Sequence, residues 1–113
     1  MPITKKIILA LILGMMASVM AGAEESSTVE QLRAAAEQGN AAAQMEMGTL
    51  YEFGYERPKD NVTALAWYRR AAAQGHVLAA KRRDLLESRL TPGEVEAARK
   101  LSEQWASQKK RTP

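Results

Sequence analysis

The 113-residue sequence contains no cysteine. No disulfide can brace the fold, no cysteine can carry a lipid, and the common thiolate zinc sites are excluded. Histidine occurs once, as His76, so a metal or catalytic role for it would lack partner side chains. Aromatic residues are few, two Trp, three Tyr and one Phe. None is interleaved with the basic run Lys81-Arg82-Arg83, which removes the base-stacking platform a nucleic-acid groove requires. No stretch alternates apolar and polar residues as a half-buried strand does. Ser26-Ser27 has no nucleophile elbow around it, and Gly48, Gly54 and Gly75 do not form a phosphate-cradling loop. These absences predict no cofactor, no metal, no nucleic-acid partner and no enzymatic activity.

What is present begins with a leader. Lys5-Lys6 precede an uncharged stretch of 17 residues, Ile7 to Ala23, which closes on the small-x-small pattern Ala21-Gly22-Ala23. A spanning helix needs roughly 20 apolar residues. The shorter run and its small-residue end predict a signal peptide over residues 1–23, cleavage after Ala23, a periplasmic location and no membrane attachment after cleavage. Residues 24–113 then form one small domain, whose core must be modest.

Charge is segregated along that domain. Residues 24–60 carry eight acids against three bases, and residues 61–113 carry five acids against eleven bases. Such a field can steer a charged partner, although solvated helix faces that separate by sign produce the same pattern.

Helix signals recur at short intervals. Ser27-x-x-Glu30 reads as a capping box ahead of a first helix, Thr28 to Gln38, stopped by Gly39. Asn40 caps a second, Ala41 to Phe53, stopped by Gly54. A loop follows from Tyr55 to Asp60, where Pro58 disfavours helix just before itself, and Asp60 or Asn61 caps a third helix running to Gln74. A fourth spans Val77 to Arg89, with Leu78, Leu85 and Leu86 as its apolar side. Thr91-Pro92-Gly93-Glu94 opens a fifth, whose stripe is Val95, Ala98, Leu101 and Trp105. The polar residues from Gln108 onward are expected to be loose.

The helices repeat. Leu32-Arg33-Ala34-Ala35-Ala36-Glu37-Gln38-Gly39-Asn40 is a worn copy of the stretch from Trp67 to His76, and Gln38-Gly39 lies 36 residues before Gln74-Gly75. A fixed offset of this size marks a helical array. Small residues (Ala43, Gly48, Ala71, Ala72) permit close helix approach. Met47, Tyr51, Trp67 and Tyr68 fill the space beside them. Ala43-Gln44, Met47-Gly48, Tyr51, Gly54, Asp60, Ala64, Trp67-Tyr68, Ala71-Ala72 and Gln74-Gly75 together resemble the Sel1-like repeat family, a relative of the tetratricopeptide class. The family usually has leucine at Met47, a second glycine at Glu56 and an aliphatic residue at Arg57. The resemblance covers one full repeat at about 40–75, with half-repeats on either side and a terminal helix at about 92–108. It implies an all-α fold, a short α-solenoid of antiparallel helix pairs with a C-terminal capping helix, preceded by the signal peptide. Trp105 is expected to cover the end of the core left open by the last pair.

The resemblance also implies a binding role. In related arrays the first helix of each pair lines a concave surface, here Ala41–Phe53 and Val77–Arg89. With Met47 and Tyr51 turned inward, Met45, Thr49 and Glu52 share another face. The repeat offset carries these to Lys81, Leu85 and Ser88, with Arg89 adjacent. The expected partner is another protein or peptide in the cell envelope, held by an adaptor or an inhibitor, an immunity-type protein being one form. A cell-wall-associated binder or hydrolase is the alternative. The oligomeric state is left open.

Overall fold

The structure, a computed structural model, describes residues 28–111, with side chains through residue 108. The signal peptide expected over residues 1–23 and the Ser27 cap lie outside the described residues. The chain falls into two units, residues 1–31 and 32–113. The first is described only over 28–31, and the packing below is that of the second.

Among the described residues five helices follow one another: α1 over residues 28–37, α2 (Ala41–Phe53), α3 (Asn61–Ala73), α4 (Val77–Glu87) and α5 (Pro92–Arg111). Their starts are set by side chains that satisfy first-turn amides. Asn40 Oδ1 accepts from the Ala43 amide at 2.9 Å, and Asp60 Oδ1 accepts from the Thr63 amide at 3.0 Å. His76 does the same for α4, its Nδ1 accepting from the Ala79 amide at 3.1 Å. Thr91 and Glu94 form the reciprocal capping box of α5: Thr91 Oγ1 accepts from the Glu94 amide at 3.2 Å, and Glu94 Oε1 accepts from the Thr91 amide at 3.1 Å. Helix α4 stops at Glu87, short of Arg89, and α5 runs through Gln108 to Arg111 instead of loosening there.

The 36-residue offset is a backbone repeat. After α1, Gly39 N–H donates to Ala36 O at 3.1 Å and Asn40 N–H to Ala35 O at 3.0 Å; after α3, Gly75 N–H donates to Ala72 O at 2.9 Å and His76 N–H to Ala71 O at 3.2 Å. Both turns pass through a left-handed glycine, φ 109° at Gly39 and 90° at Gly75, where a Cβ would be strained. The loop after α2 has a further left-handed residue, Glu56 at φ 60°. Glu56 therefore keeps the backbone form expected of glycine at that position, at a steric cost. Arg57, in place of an aliphatic residue, lays its guanidinium 4.7 Å from the centroid of the Tyr51 ring.

Helix α3 is the centre of the second unit and packs against α2, α4 and α5. Its Ala64, Leu65, Ala66, Trp67, Tyr68 and Ala71 are all buried. Close approach to α2 depends on Gly48, since a Cβ there would lie 2.5 Å from the Tyr68 ring. Ala36 of α1, Ala43 and Met47 of α2 and Trp67 of α3 form one apolar cluster. Leu86 of α4 and Ala98 of α5 join the α3 residues in another. Buried Gln44 ties the turn regions together: its Nε2 donates to Ala36 O at 2.9 Å, and its Oε1 accepts from Gln74 Nε2 at 2.8 Å.

A sequence expectation about α4 is corrected here. Of the apolar side assigned to α4, only Leu86 is buried; Leu78 is 47% and Leu85 64% exposed. The reason is that α4 packs on α3 along the Ala79–Leu86 line, which turns the other leucines outward. Trp105 packs against both apolar clusters. It stacks on Trp67, with ring centroids 4.5 Å apart and a 36° tilt, because α5 lies along α3.

Candidate functional site

Two groups of side chains around α3 bear on function. The first contains the sequence-predicted residues. Glu52, expected on an open surface, is buried. Its Oε1 accepts from the Tyr68 hydroxyl at 2.7 Å, and its Oε2 accepts from Arg89 at 2.9 Å. Thr49 Oγ1 lies 3.4 Å from the same hydroxyl and 3.2 Å from Met45 O. Burial pushes the Tyr68 pKa up to about 12, helped by the hydrogen bond to Glu52 and opposed by that to Thr49. The structure thus joins Thr49, Tyr68 and Glu52 in a chain of contacts that ends on the exposed Arg89. The acidic and basic ends inferred from sequence meet each other there. Met45 is half-buried against the core.

Lys81, Leu85 and Ser88 are outside that set of contacts and exposed. Ser88 Oγ donates to Leu85 O at 2.6 Å, closing the end of α4. With Val77 (68% exposed) and Leu78 they give α4 an outward row of apolar side chains beside a lysine. An amphipathic helix normally buries such side chains, and exposed apolar patches rimmed by polar groups mark interaction surfaces. Helix α4 is held to α3 from its inner side, where Arg69 pairs with Glu87 at 3.1 Å.

The second group was not foreseen. Arg33 and Glu37 of α1, Tyr51 of α2, Trp67 and Arg70 of α3 and Trp105 of α5 line a groove of about 490 Å³. The Arg70 guanidinium lies 5.1 Å from the Trp67 ring centroid and 5.6 Å from that of Trp105. Burial lowers its pKa, and the charge of Glu37 opposes that shift. A sequence signal existed only in part. Trp67 and Arg70 are one helical turn apart, so their contact was available from spacing. Nothing in the sequence placed Trp105 on Trp67. Among the described residues no cluster of side chains suited to a metal ion converges.

Comparison with known proteins agrees with this architecture. Residues 41–76 match the family model described as Sel1 repeat. Over 68 residues, 59% of the chain, the sequence is 45% identical to the secretory immunoglobulin A-binding protein EsiB of Escherichia coli O6:H1 (strain CFT073), of which it spans 14%. The crystal structure of c5321, a protective antigen of uropathogenic E. coli strains with an SLR fold, matches with a TM-score of 0.66 and 32% identity, covering 70% of this chain and 17% of that one. The chain spans less than a fifth of the length of either relative.

Proposed function

The chain is a Sel1-like repeat protein, and from that premise we propose that it is an exported protein–protein interaction module that holds an envelope partner as an adaptor or inhibitor. Sel1-repeat proteins mediate protein–protein interaction, which supplies the class. The observation that carries the reading is the outward row of α4, where Val77, Leu78 and Leu85 are exposed beside Lys81. A folded helix that leaves three large apolar side chains in water gains when a second surface covers them. The basic balance of residues 61–113 favours a partner surface with apolar and acidic side chains. Arg89 shares its charge with Glu52, so Lys81 is the better electrostatic contact. Binding of an immunoglobulin is stated of EsiB, and this chain corresponds to a small part of that protein.

Site-specific photocrosslinking tests the reading. A photoreactive aromatic amino acid is placed at Leu85 and, as a control, at exposed Ala97 on α5. The expected result in cells is one discrete protein adduct from position 85, absent from position 97 and reduced by Lys81→Glu. Equal adducts from both positions, or none from position 85, would sink the assignment. Recovery of the mature chain in the periplasmic fraction, with an N-terminus at Glu24, checks export. Retention of the leader in a cytoplasmic fraction would contradict it.

A further inference from the structure

The groove between α1 and α5 shares no residue with the α4 row and has a different chemistry. Arg69, Arg83, Arg89 and Arg99 are each paired with a carboxylate. Arg70 is half-buried, and it makes no hydrogen bond or ion pair among the described residues; its contacts are with the faces of Trp67 and Trp105. Arg33, on the same groove, has a buried Nε without a hydrogen-bond partner. A guanidinium stacked on aromatic rings keeps its N–H groups in the ring plane of the fork, directed past the rings and able to grip a carboxylate with two parallel bonds. Stacking also costs such a group little when an anion arrives, since the side chain is already ordered.

Charge narrows the ligand. Two guanidinium groups face one carboxylate, Glu37, which leaves room for about one further negative charge and disfavours a polyanion. The remaining walls are the aromatic Tyr51, Trp67 and Trp105 and the amide side chain of Gln108. The volume of about 490 Å³ lies in the range of a site for one or two side chains rather than an extended chain. We propose that this groove binds an acidic peptide segment, a carboxylate held by Arg70 and Arg33 and the neighbouring apolar side chain against Trp105 and Tyr51. The choice of a peptide over a small metabolite rests on the reading of the chain as a protein-interaction module. Glu37 sets the affinity by competing for the same guanidinium groups.

Both tryptophans of the chain line this groove, so selectively excited tryptophan fluorescence reports on it. The full chain is titrated with the singly charged peptide acetyl-Leu-Glu-Leu-amide. Its uncharged twin, acetyl-Leu-Gln-Leu-amide, and inorganic phosphate are titrated in parallel. The acidic peptide is expected to change the emission saturably, and the twin to bind roughly tenfold or more weakly, the value of one charged hydrogen-bond set. Arg70→Gln and Arg33→Gln should each weaken the acidic peptide by a similar factor, while Glu37→Gln tightens it; circular dichroism confirms that each variant folds. Equal affinity for peptide and twin would overturn the proposal. So would unchanged binding by both arginine variants, or displacement of the peptide by an equal concentration of phosphate. Loss of peptide binding to the unmodified chain with the Leu85 crosslink retained would overturn the groove alone. Loss of the crosslink with peptide binding retained would overturn the α4 surface alone.

Discussion

Helices α3 and α4 have similar lengths and similar numbers of large apolar side chains, yet they are used in opposite ways. Helix α3 is covered by α2, α4 and α5, and six of its residues are buried. Helix α4 touches α3 along one line and buries Ala79 and Leu86, while Val77, Leu78 and Leu85 face outward. An apolar residue in α3 is therefore a structural element, and the same kind of residue in the outer row of α4 is spare for a partner. Apolar content by itself does not separate core from interface; the number of neighbouring helices does.

The strongest way to break this comparison is a pair of equivalent truncations. Leu65→Ala removes a fully buried side chain and should cost about 2–5 kcal/mol in urea denaturation. Leu85→Ala removes one that is 64% exposed and should stay within roughly 0.5 kcal/mol. Comparable losses would show that α4 is packed more completely than its exposure indicates.

A smaller effect isolates the polar part of α3. Tyr68 has its pKa raised from 10.0 to about 12, so the folded chain keeps a proton that the unfolded chain releases in that window. Stability contributed by the protonated hydroxyl is fully present below pH 10, declines as pH rises, and is lost through the folded pKa. The decline should be at most about 2–3 kcal/mol, and Tyr68→Phe should remove it when both proteins are unfolded by urea at pH 9 and at pH 12. An identical alkaline decline in the two proteins would assign it to other groups. No matching slope is expected from α4, whose outward row contains no buried titratable side chain.

The smallest expected effect lies in the loop that leads into α3. Glu56 holds φ 60°, which costs a side-chain-bearing residue about 1–2 kcal/mol. Glycine removes that strain but adds freedom to the unfolded chain. Glu56→Gly should raise the thermal midpoint slightly, by the equivalent of roughly 0.5 kcal/mol. A fall in the midpoint would mean that Glu56 makes a stabilising contact of its own.

Much of the fold was legible because its signals are local. Asn40, Asp60, Thr91-Pro92 and the glycines at 39, 54 and 75 act within a few residues of themselves, so helix starts and stops followed from spacing. The repeat offset then indicated how α2 and α3 pair. Site residues were less legible. Glu52 was assigned to a surface because helical periodicity identifies a face without saying what covers it; in the structure Tyr68 and Arg89 cover it. For the converse reason periodicity puts Leu78 on the apolar side of α4, and it puts Leu85 both there and on the binding face; both side chains are exposed. The Trp67–Trp105 contact joins residues 38 positions apart in chain order, and no periodicity extends across two turns and an intervening helix.

By itself, then, the sequence determined the helical class, the 36-residue repeat, the caps and turns, and the packing role of Met47, Trp67 and Tyr68. These depend on backbone conformations and side-chain volumes that act over short range. Tertiary structure alone decided that α5 lies along α3, that Arg70 stacks on two tryptophans, that Glu52 is an internal acceptor and that the outer leucines of α4 remain in water. Those outcomes depend on which helix faces come together, a choice set by the summed burial and complementarity of distant segments rather than by any one of them.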